Sequence, residues 1–277
     1  MSEQLKHIPR SAIKSIYLED FKSEYAEGML SKNTVKFIKS LHQKKYRTEN
    51  RQFFVEGEKS VLEVLHSDFL IELLLITESF GKTHSEVLKS YSGQLIQVTQ
   101  NQLEQLGQYQ SNDSALAVVN MKANTAFEPK TSDLIIALDD VRDPGNLGTI
   151  IRVADWYGIN KLVFSPQTAE FYNPKVIQAT MGSFTRIQFF YGNLEEVLDR
   201  WNLPVYGAFL NGSNIHQMAK PEPGILLMGN EANGISAELE KKVTQKVTIP
   251  GFGQAESLNV AIATAILCDN FKRLMST

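Results

Sequence analysis

Six short apolar runs alternate with helix-like segments in the C-terminal half of the chain, and this alternation constrains the fold most strongly. Strands that alternate with helices of this size are typical of a parallel sheet flanked by helices. The strands are expected at Leu134–Asp140, Lys161–Ser165, Ile187–Tyr191, Val205–Leu210, Ile225–Gly229 and Lys246–Ile249. The sequence therefore predicts a doubly wound α/β sheet.

Helical patterns separate these strands. They are expected at Leu147–Tyr157, Pro174–Met181 and Leu194–Trp201, with a short helix from Ser236 and a long one starting near Ser257. Asn193 is well placed to cap the third helix, and the pair Asn211–Gly212 is expected to form a turn after its strand.

A smaller alternation of strands and helices runs from Phe53 to Asn120 and predicts a second sheet with flanking helices. Residues 122–133 are small, polar and proline-containing, which is typical of a linker. We therefore expect a helical extension over residues 1–30, a first domain over 31–121, a linker over 122–133 and a second domain over 134–277.

The composition is that of an ordinary globular protein, with 277 residues, 43% hydrophobic and 21% charged. No apolar run approaches the roughly 20 residues that span a bilayer, and the first residues lack the apolar core of a signal peptide. Cys268 is the single cysteine and lies in an apolar helical run. We expect a cytoplasmic protein in which this thiol is buried and structural.

Charge is unevenly distributed along the chain. The net charge of −3 argues against a generally cationic surface, but Lys32–Lys59 contains eight basic and three acidic residues. Tyr46, Phe53 and Phe54 are interleaved with them. Basic clusters of this kind bind the phosphates of nucleic acids. A solvated helix face is the alternative explanation.

Three polar, glycine-bearing loops follow strands in the second domain and precede its helices. They are Asp143–Arg152, Met228–Gly234 and Ile249–Val260. In open α/β sheets the ligand crevice forms at the carboxyl ends of the strands. The three loops together therefore predict one composite site, although each alone could be a tight turn before a helix.

Each loop carries candidate site residues. Asn146 and Arg152 offer an amide and a planar cation suited to phosphate or carboxylate. Gly229 can expose its backbone to a flat ligand, and Glu231 adds polar reach. In the third loop Ser257 is expected to cap the last helix, whereas Asn259, expected on its first turn, is not explained by helix propensity.

Several other chemistries find little support in the sequence. The five histidines are scattered without the paired spacing of a metal site. There is no Gly-x-Ser-x-Gly nucleophile motif and no phosphate-binding Walker motif. Gly251 and Gly253 lack the third glycine of a dinucleotide fingerprint, which disfavours an NAD-dependent oxidoreductase.

Taken together, the three loops resemble the signature motifs of the SpoU (TrmH-like) branch of SPOUT RNA 2′-O-ribose methyltransferases. The matching features are Asn146 and Arg152 in the first loop, Gly229 and Glu231 in the second, and the run from Ile249 to Ser257, Leu258 and Asn259 in the third. The resemblance covers Leu134 to the C-terminus. The third motif departs from the family at Gly251, where methionine is common. More loosely, the first domain, with Phe53–Gly57, resembles the family's ribosomal-protein-like RNA-binding domain.

This resemblance implies a trefoil-knotted methyltransferase domain, a homodimer formed through it, and S-adenosylmethionine as the cofactor. The cofactor would be held by backbone around Gly229, Ile249 and Leu258. Arg152 matches the family's catalytic arginine. The remaining site residues, Asn146, Glu231, Ser257 and Asn259, would hold the ribose, the arginine and the cofactor in register.

The activity expected from the resemblance is methyl transfer to a ribose 2′-hydroxyl of RNA, with ribosomal RNA favoured over transfer RNA because of the basic N-terminal domain. No metal and no membrane partner are expected. A non-catalytic, dimeric RNA-binding protein on the same fold is the alternative.

Overall fold

The computed structural model describes residues 30–276, which divide after Met121 into two compact units. The helical extension expected over residues 1–30 lies outside the described residues except for Leu30. Within the described chain, no helix is long and apolar enough to cross a membrane.

The first unit is built on a four-stranded mixed sheet with the strand order β1-β4-β2-β3. Strand β4 runs antiparallel to both β1 and β2, and β3 runs parallel to β2. The strands are β1 (Gln52–Glu56), β2 (Ile71–Ile76), β3 (Gln94–Gln97) and β4 (Ala115–Asn120). The helices are α1 (Lys32–Ser40), α2 (Lys44–Asn50), α3 (Glu58–Leu65), α4 (Glu78–Thr83), α5 (Ser85–Leu88) and α6 (Gln100–Leu106).

The basic segment of the first unit forms two helices, α1 and α2. Ser31 caps α1 by accepting a hydrogen bond from the Thr34 N–H, and the chain turns before α2. Arg47 is buried and its Nη1 donates to the carbonyls of Leu41 and His42. This arginine therefore holds the turn between the helices and does not contribute to the basic surface.

The second unit is built on six strands that are all parallel, in the order β10-β8-β9-β5-β6-β7. The strands are β5 (Leu134–Leu138), β6 (Lys161–Phe164), β7 (Gln188–Tyr191), β8 (Val205–Asn214), β9 (Gly224–Met228) and β10 (Gln245–Thr248). The helices are α7 (Pro144–Trp156), α8 (Pro174–Thr180), α9 (Leu194–Trp201), α10 (Ala237–Glu240) and α11 (Val260–Ser276), with 3-10 turns at Ser183–Arg186 and Ile215–Gln217.

The strand order reverses at the pair β5–β9. From β5 the chain continues to β6 and β7 on one side, and it later returns to β8, β9 and β10 on the other. In open parallel sheets a crevice forms outside the carboxyl ends of the strands at such a reversal. The loops that follow β5 and β9 are therefore at the position in the fold where ligands bind.

The stretch that has linker composition runs along the second unit. Asn124 exchanges two hydrogen bonds with the backbone of Tyr191, at 2.8 and 3.0 Å. Phe127 is buried and stacks on Trp201 with ring centroids 5.3 Å apart. Phe127 therefore anchors this polar stretch. The sequence shows no apolar period here, so it did not predict the buried contact.

Two elements of the second unit differ from the sequence-based expectation. Helix α7 begins at Pro144 and not at Leu147, because Asp143 accepts a hydrogen bond from the Asn146 N–H and proline suits the first helical position. The turn expected at Asn211–Gly212 is wrong, since β8 continues to Asn214. A side chain at Gly212 would meet the backbone of Lys246, so the absence of a side chain here lets β8 and β10 lie close together.

Gly148 lets α7 and α8 approach each other closely. A Cβ atom at this position would lie 2.5 Å from the Cβ of Ala179 and 2.7 Å from the carbonyl oxygen of Val176. The approach matters for the site because α7 carries Asn146 and Arg152.

We expect Gly148→Ala to destabilise the protein. Helix propensity alone would stabilise it by about 0.5–1 kcal/mol, whereas overpacking costs about 1–3 kcal/mol. Urea unfolding should show a net loss of stability, while Gly253→Ala, which meets only open space, should show none. Equal unfolding midpoints for the two variants would contradict the close helix contact.

Candidate active site

The side chain of Asn146 connects the three loops. Its Nδ2 donates to Glu231 Oε1 at 2.7 Å, and its Oδ1 accepts from Asn259 Nδ2 at 2.9 Å. These partners are 85 and 113 residues away in sequence. The first, second and third loops are therefore joined at one place, at the carboxyl edge of the sheet.

The second loop is shaped by Asn230. Its Nδ2 donates to the carbonyl of Asp140 at 2.7 Å, and its Oδ1 accepts from the N–H groups of Ala232 and Asn233. Its backbone exchanges two hydrogen bonds with Gly234, each of 2.9 Å. Glu231 is thus presented at the tip of a closed turn, facing Asn146. In the sequence, Asn230 is a polar residue that follows Gly229, the first residue after β9.

Gly229 is required by close backbone packing. A Cβ atom here would lie 2.2 Å from the carbonyl carbon of Gly234 and 2.3 Å from the Ile235 nitrogen. Gly234 itself has a φ of 69°, a conformation that favours glycine. The strand end can therefore turn sharply without a side chain in the way.

Asn259 is the N-cap of the last helix. Helix α11 begins at Val260, and Asn259 Oδ1 accepts from the N–H groups of Ala261 at 2.9 Å and Ile262 at 3.3 Å. The expectation that Ser257 caps this helix is therefore wrong. One asparagine both starts the helix and donates to Asn146, which explains its occurrence at this position.

The rest of the third loop is exposed backbone. Gly251–Leu258 forms no backbone hydrogen bond with any residue between 30 and 276. Ile249 directly follows β10, Ser257 is exposed, and Leu258 is a half-exposed apolar side chain. The loop therefore offers main-chain donors and acceptors beside apolar surface, an arrangement suited to a flat heterocycle.

Arg152 lies on α7 but takes no part in the hydrogen bonds that join the three loops. Helix geometry places it about 9 Å along the axis from Asn146 and about 120° around it. Its side chain is exposed and has no hydrogen-bond or ion-pair partner within residues 30–276. The guanidinium is thus available to a ligand.

A second arginine at the same edge is held by a carboxylate. Arg142 donates from Nε to Asp140 Oδ1 at 2.6 Å and from Nη2 to Asp140 Oδ2 at 2.9 Å. These hydrogen bonds raise the pKa of the Arg142 guanidinium. Sequence reasoning missed this pair, because nothing in the pattern shows that Asp140 turns back toward Arg142.

Metal and thiol chemistry have no site in the part of the chain that the structure describes. Residues 30–276 contain no group of three His, Cys, Asp or Glu side chains that could hold a metal ion. Cys268 is buried, and burial raises the pKa of its thiol to about 12. It is therefore a protonated core residue at neutral pH.

Comparison with known proteins identifies the family. Residues 133–269 match the SpoU rRNA Methylase family, and residues 32–117 match the MRM3-like substrate binding domain. The chain is 33% identical over 237 residues to the 23S rRNA (guanosine(2553)-2′-O)-methyltransferase RlmP of Bacillus subtilis, a match that covers 84% of this chain and 93% of that protein. The chain belongs to the SpoU rRNA methylase family.

Solved structures of SpoU relatives share the fold. A TrmH-family protein from Porphyromonas gingivalis is 37% identical with a TM-score of 0.77, and the match covers 88% of this chain and 99% of that one. The AdoMet-bound rRNA methyltransferase from Sinorhizobium meliloti is 31% identical with a TM-score of 0.79, over 88% of this chain and 95% of that one. Both matches extend well beyond the length of the second unit alone.

The two roles of Asn259 can be separated by substitution. Asn259→Asp keeps a side-chain acceptor for the helix cap, and Asn259→Ala removes it, while both lose the donor to Asn146. We expect Asn259→Ala to be less stable than Asn259→Asp by about 1 kcal/mol in urea unfolding. Equal stabilities would show that Asn259 does not cap α11.

Proposed function

We propose that this SpoU-family enzyme transfers a methyl group from S-adenosylmethionine to a ribose 2′-hydroxyl of ribosomal RNA. The observation that carries the proposal is the joining of all three signature loops by Asn146. The three loops form one site at the strand reversal. Such a site can bind a cofactor and an RNA nucleotide next to each other.

The loops fit the proposed cofactor. The backbone around Gly229, Ile249 and Leu258 would hold it. Within residues 30–276, the main chain of Gly251–Leu258 forms no backbone hydrogen bond, so its N–H and C=O groups can bind the cofactor. Leu258 adds apolar surface for the adenine ring. When bound, S-adenosylmethionine supplies a sulfonium methyl group, which is activated for attack by an oxygen nucleophile.

The enzyme's main task is then alignment of the 2′-hydroxyl and removal of its proton. Holding two reactants in line can lower the barrier by roughly 7–11 kcal/mol. Arg152, which is exposed on α7, would bind the substrate phosphate and hydroxyl as a fixed cation. Its pKa above about 12 makes it a poor proton acceptor, so we assign it positioning and charge stabilisation.

The remaining polar residues keep the loops in register. Glu231 accepts from Asn146, which in turn accepts from Asn259. This chain ties the end of β9 to the starts of α7 and α11. Ser257, two residues before Asn259, would contact the ribose or the cofactor from the exposed third loop.

Substrate binding is assigned to the first unit. This unit matches a substrate binding domain, and Lys32, Lys36 and Lys39 are exposed along α1. The RlmP match extends over both units and that relative acts on 23S rRNA. We therefore assign residues 31–121 to RNA binding, 122–133 to the connection and 134–277 to methyl transfer, and favour ribosomal RNA over transfer RNA.

We also propose that the second unit is knotted as a trefoil and that it forms a homodimer. Helices α7 and α11 lie side by side in the same direction, since Asn146 meets Asn259 at one end and Tyr157 donates to Asp269 further along. Trp156 is 83% exposed at the end of α7. A second copy of the chain would cover the exposed side chain of Trp156.

The alternative is a non-catalytic RNA-binding protein on the same fold. It predicts that calorimetry detects no binding of S-adenosylmethionine. The enzyme assignment predicts saturable binding with one cofactor per chain.

Replacing Arg152 with alanine should abolish methyl transfer. Loss of one preorganised donor typically lowers kcat by about 10²–10³, and the loop backbone that holds the cofactor is unchanged. Transfer of tritiated methyl groups to ribosomal RNA from cells lacking the gene measures the activity, and calorimetry measures cofactor affinity. Arg200→Ala, an exposed arginine paired with Glu128, is the control. Full activity of Arg152→Ala would remove the assignment.

Replacing Trp156 with glutamate should weaken the dimer, because a charge would enter the covered apolar surface. Light scattering after gel filtration should give twice the chain mass of 31.1 kDa for the wild type and a lower mass for the variant. Leu70→Glu, at an exposed leucine of the first unit, should stay dimeric. A monomeric wild type, or a variant with unchanged mass, would contradict the proposed interface.

A further inference from the structure

Asp140 has a strained backbone directly after β5. Its φ of 59° lies in the left-handed region, which non-glycine residues rarely adopt. The conformation is held from two sides, since its N–H donates to Ser165 Oγ at 2.8 Å and its carbonyl accepts from Asn230 Nδ2 at 2.7 Å. Neighbouring loops therefore impose a conformation that the residue itself disfavours.

The side chain of Asp140 holds Arg142. The Asp140 carboxylate accepts from both Nε and Nη2 of Arg142, whose side chain is 69% exposed. Solvent-exposed ion pairs contribute little to stability, so the pair between Asp140 and Arg142 adds little to the stability of the fold. A guanidinium has five N–H donors, and three of them remain available to a ligand.

Arg142 belongs to the same edge of the sheet as the candidate active site. It precedes Asn146 by four residues, and Asn230, which holds Asp140, is followed by Glu231, the partner of Asn146. In the segments Asp139–Arg152, Gly229–Ser236 and Ile249–Asn259, the basic residues are Arg142 and Arg152, against five acidic residues. The phosphates of an RNA strand that binds at this edge can therefore pair with few positively charged side chains.

We propose that Arg142 binds a backbone phosphate of the RNA beside the methylated nucleotide, and that Asp140 is the positioning residue that aims its guanidinium. The inference rests on the proposed function and adds a second phosphate contact to that of Arg152. The planar donor fork matches two phosphate oxygens. Because Asp140 already holds the side chain, less conformational freedom is lost when RNA binds.

The test compares Arg142→Ala, Arg142→Lys and the control Arg200→Ala in methyl transfer to ribosomal RNA from cells lacking the gene. Arg142→Ala should raise the apparent KM for RNA about tenfold, the size expected for loss of a charge-assisted hydrogen bond, while kcat and the calorimetric Kd for S-adenosylmethionine stay near the wild-type values. Arg142→Lys keeps the charge and loses the planar donor fork, so its KM for RNA should lie between those of the wild type and Arg142→Ala. Arg200→Ala should match the wild type.

The salt dependence separates a phosphate contact from a structural role. The slope of log KM against log KCl concentration should fall by about 0.7–0.9 in Arg142→Ala, since one phosphate contact is lost. If alanine lowers the thermal midpoint, Arg142→Gln, which removes the charge and keeps a long polar side chain, provides the same comparison. An unchanged KM and slope would overturn the inference. An inactive wild type would instead overturn the proposed function.

Discussion

The amide of Asn146 is the interaction on which the site depends. An amide offers both a donor and an acceptor without net charge, so it can bind the Glu231 carboxylate and the Asn259 amide together. A carboxylate in its place would face Glu231 as a like charge. One neutral side chain therefore brings together loops that lie far apart in the sequence.

The position of this amide follows from local chemistry at the start of α7. Asp143 caps the helix and Pro144 occupies its first turn, so the Asn146 side chain leaves the helix at the sheet edge. Gly148 then allows α8 to pack closely beneath the same helix. The fold thus supports the site through a cap and a close helix contact, and the strand reversal at β5–β9 brings the loops after both strands to one edge of the sheet.

Much of this architecture could be predicted from the sequence. Alternating apolar runs predicted six strands in the second unit, and the helix Leu194–Trp201 with its Asn193 cap is confirmed. The errors at Ser257 and Gly212 share one cause, which is that a partner distant in sequence decided the outcome. Ser257 is as good a cap by type as Asn259, and only the contact with Asn146 favours the latter. Similarly, Gly212 looks like a turn residue until β10 is seen beside it.

Mapping of 2′-O-methylated nucleotides in ribosomal RNA from cells with and without the gene tests the central claim most directly. The account predicts that a ribose methylation is lost without the gene, returns with the wild-type gene, and fails to return with Asn146→Ala. Identical methylation maps in the presence and absence of the gene would contradict the account. Full restoration by the Asn146→Ala gene would leave the enzyme assignment intact and refute the role given to the bridging amide.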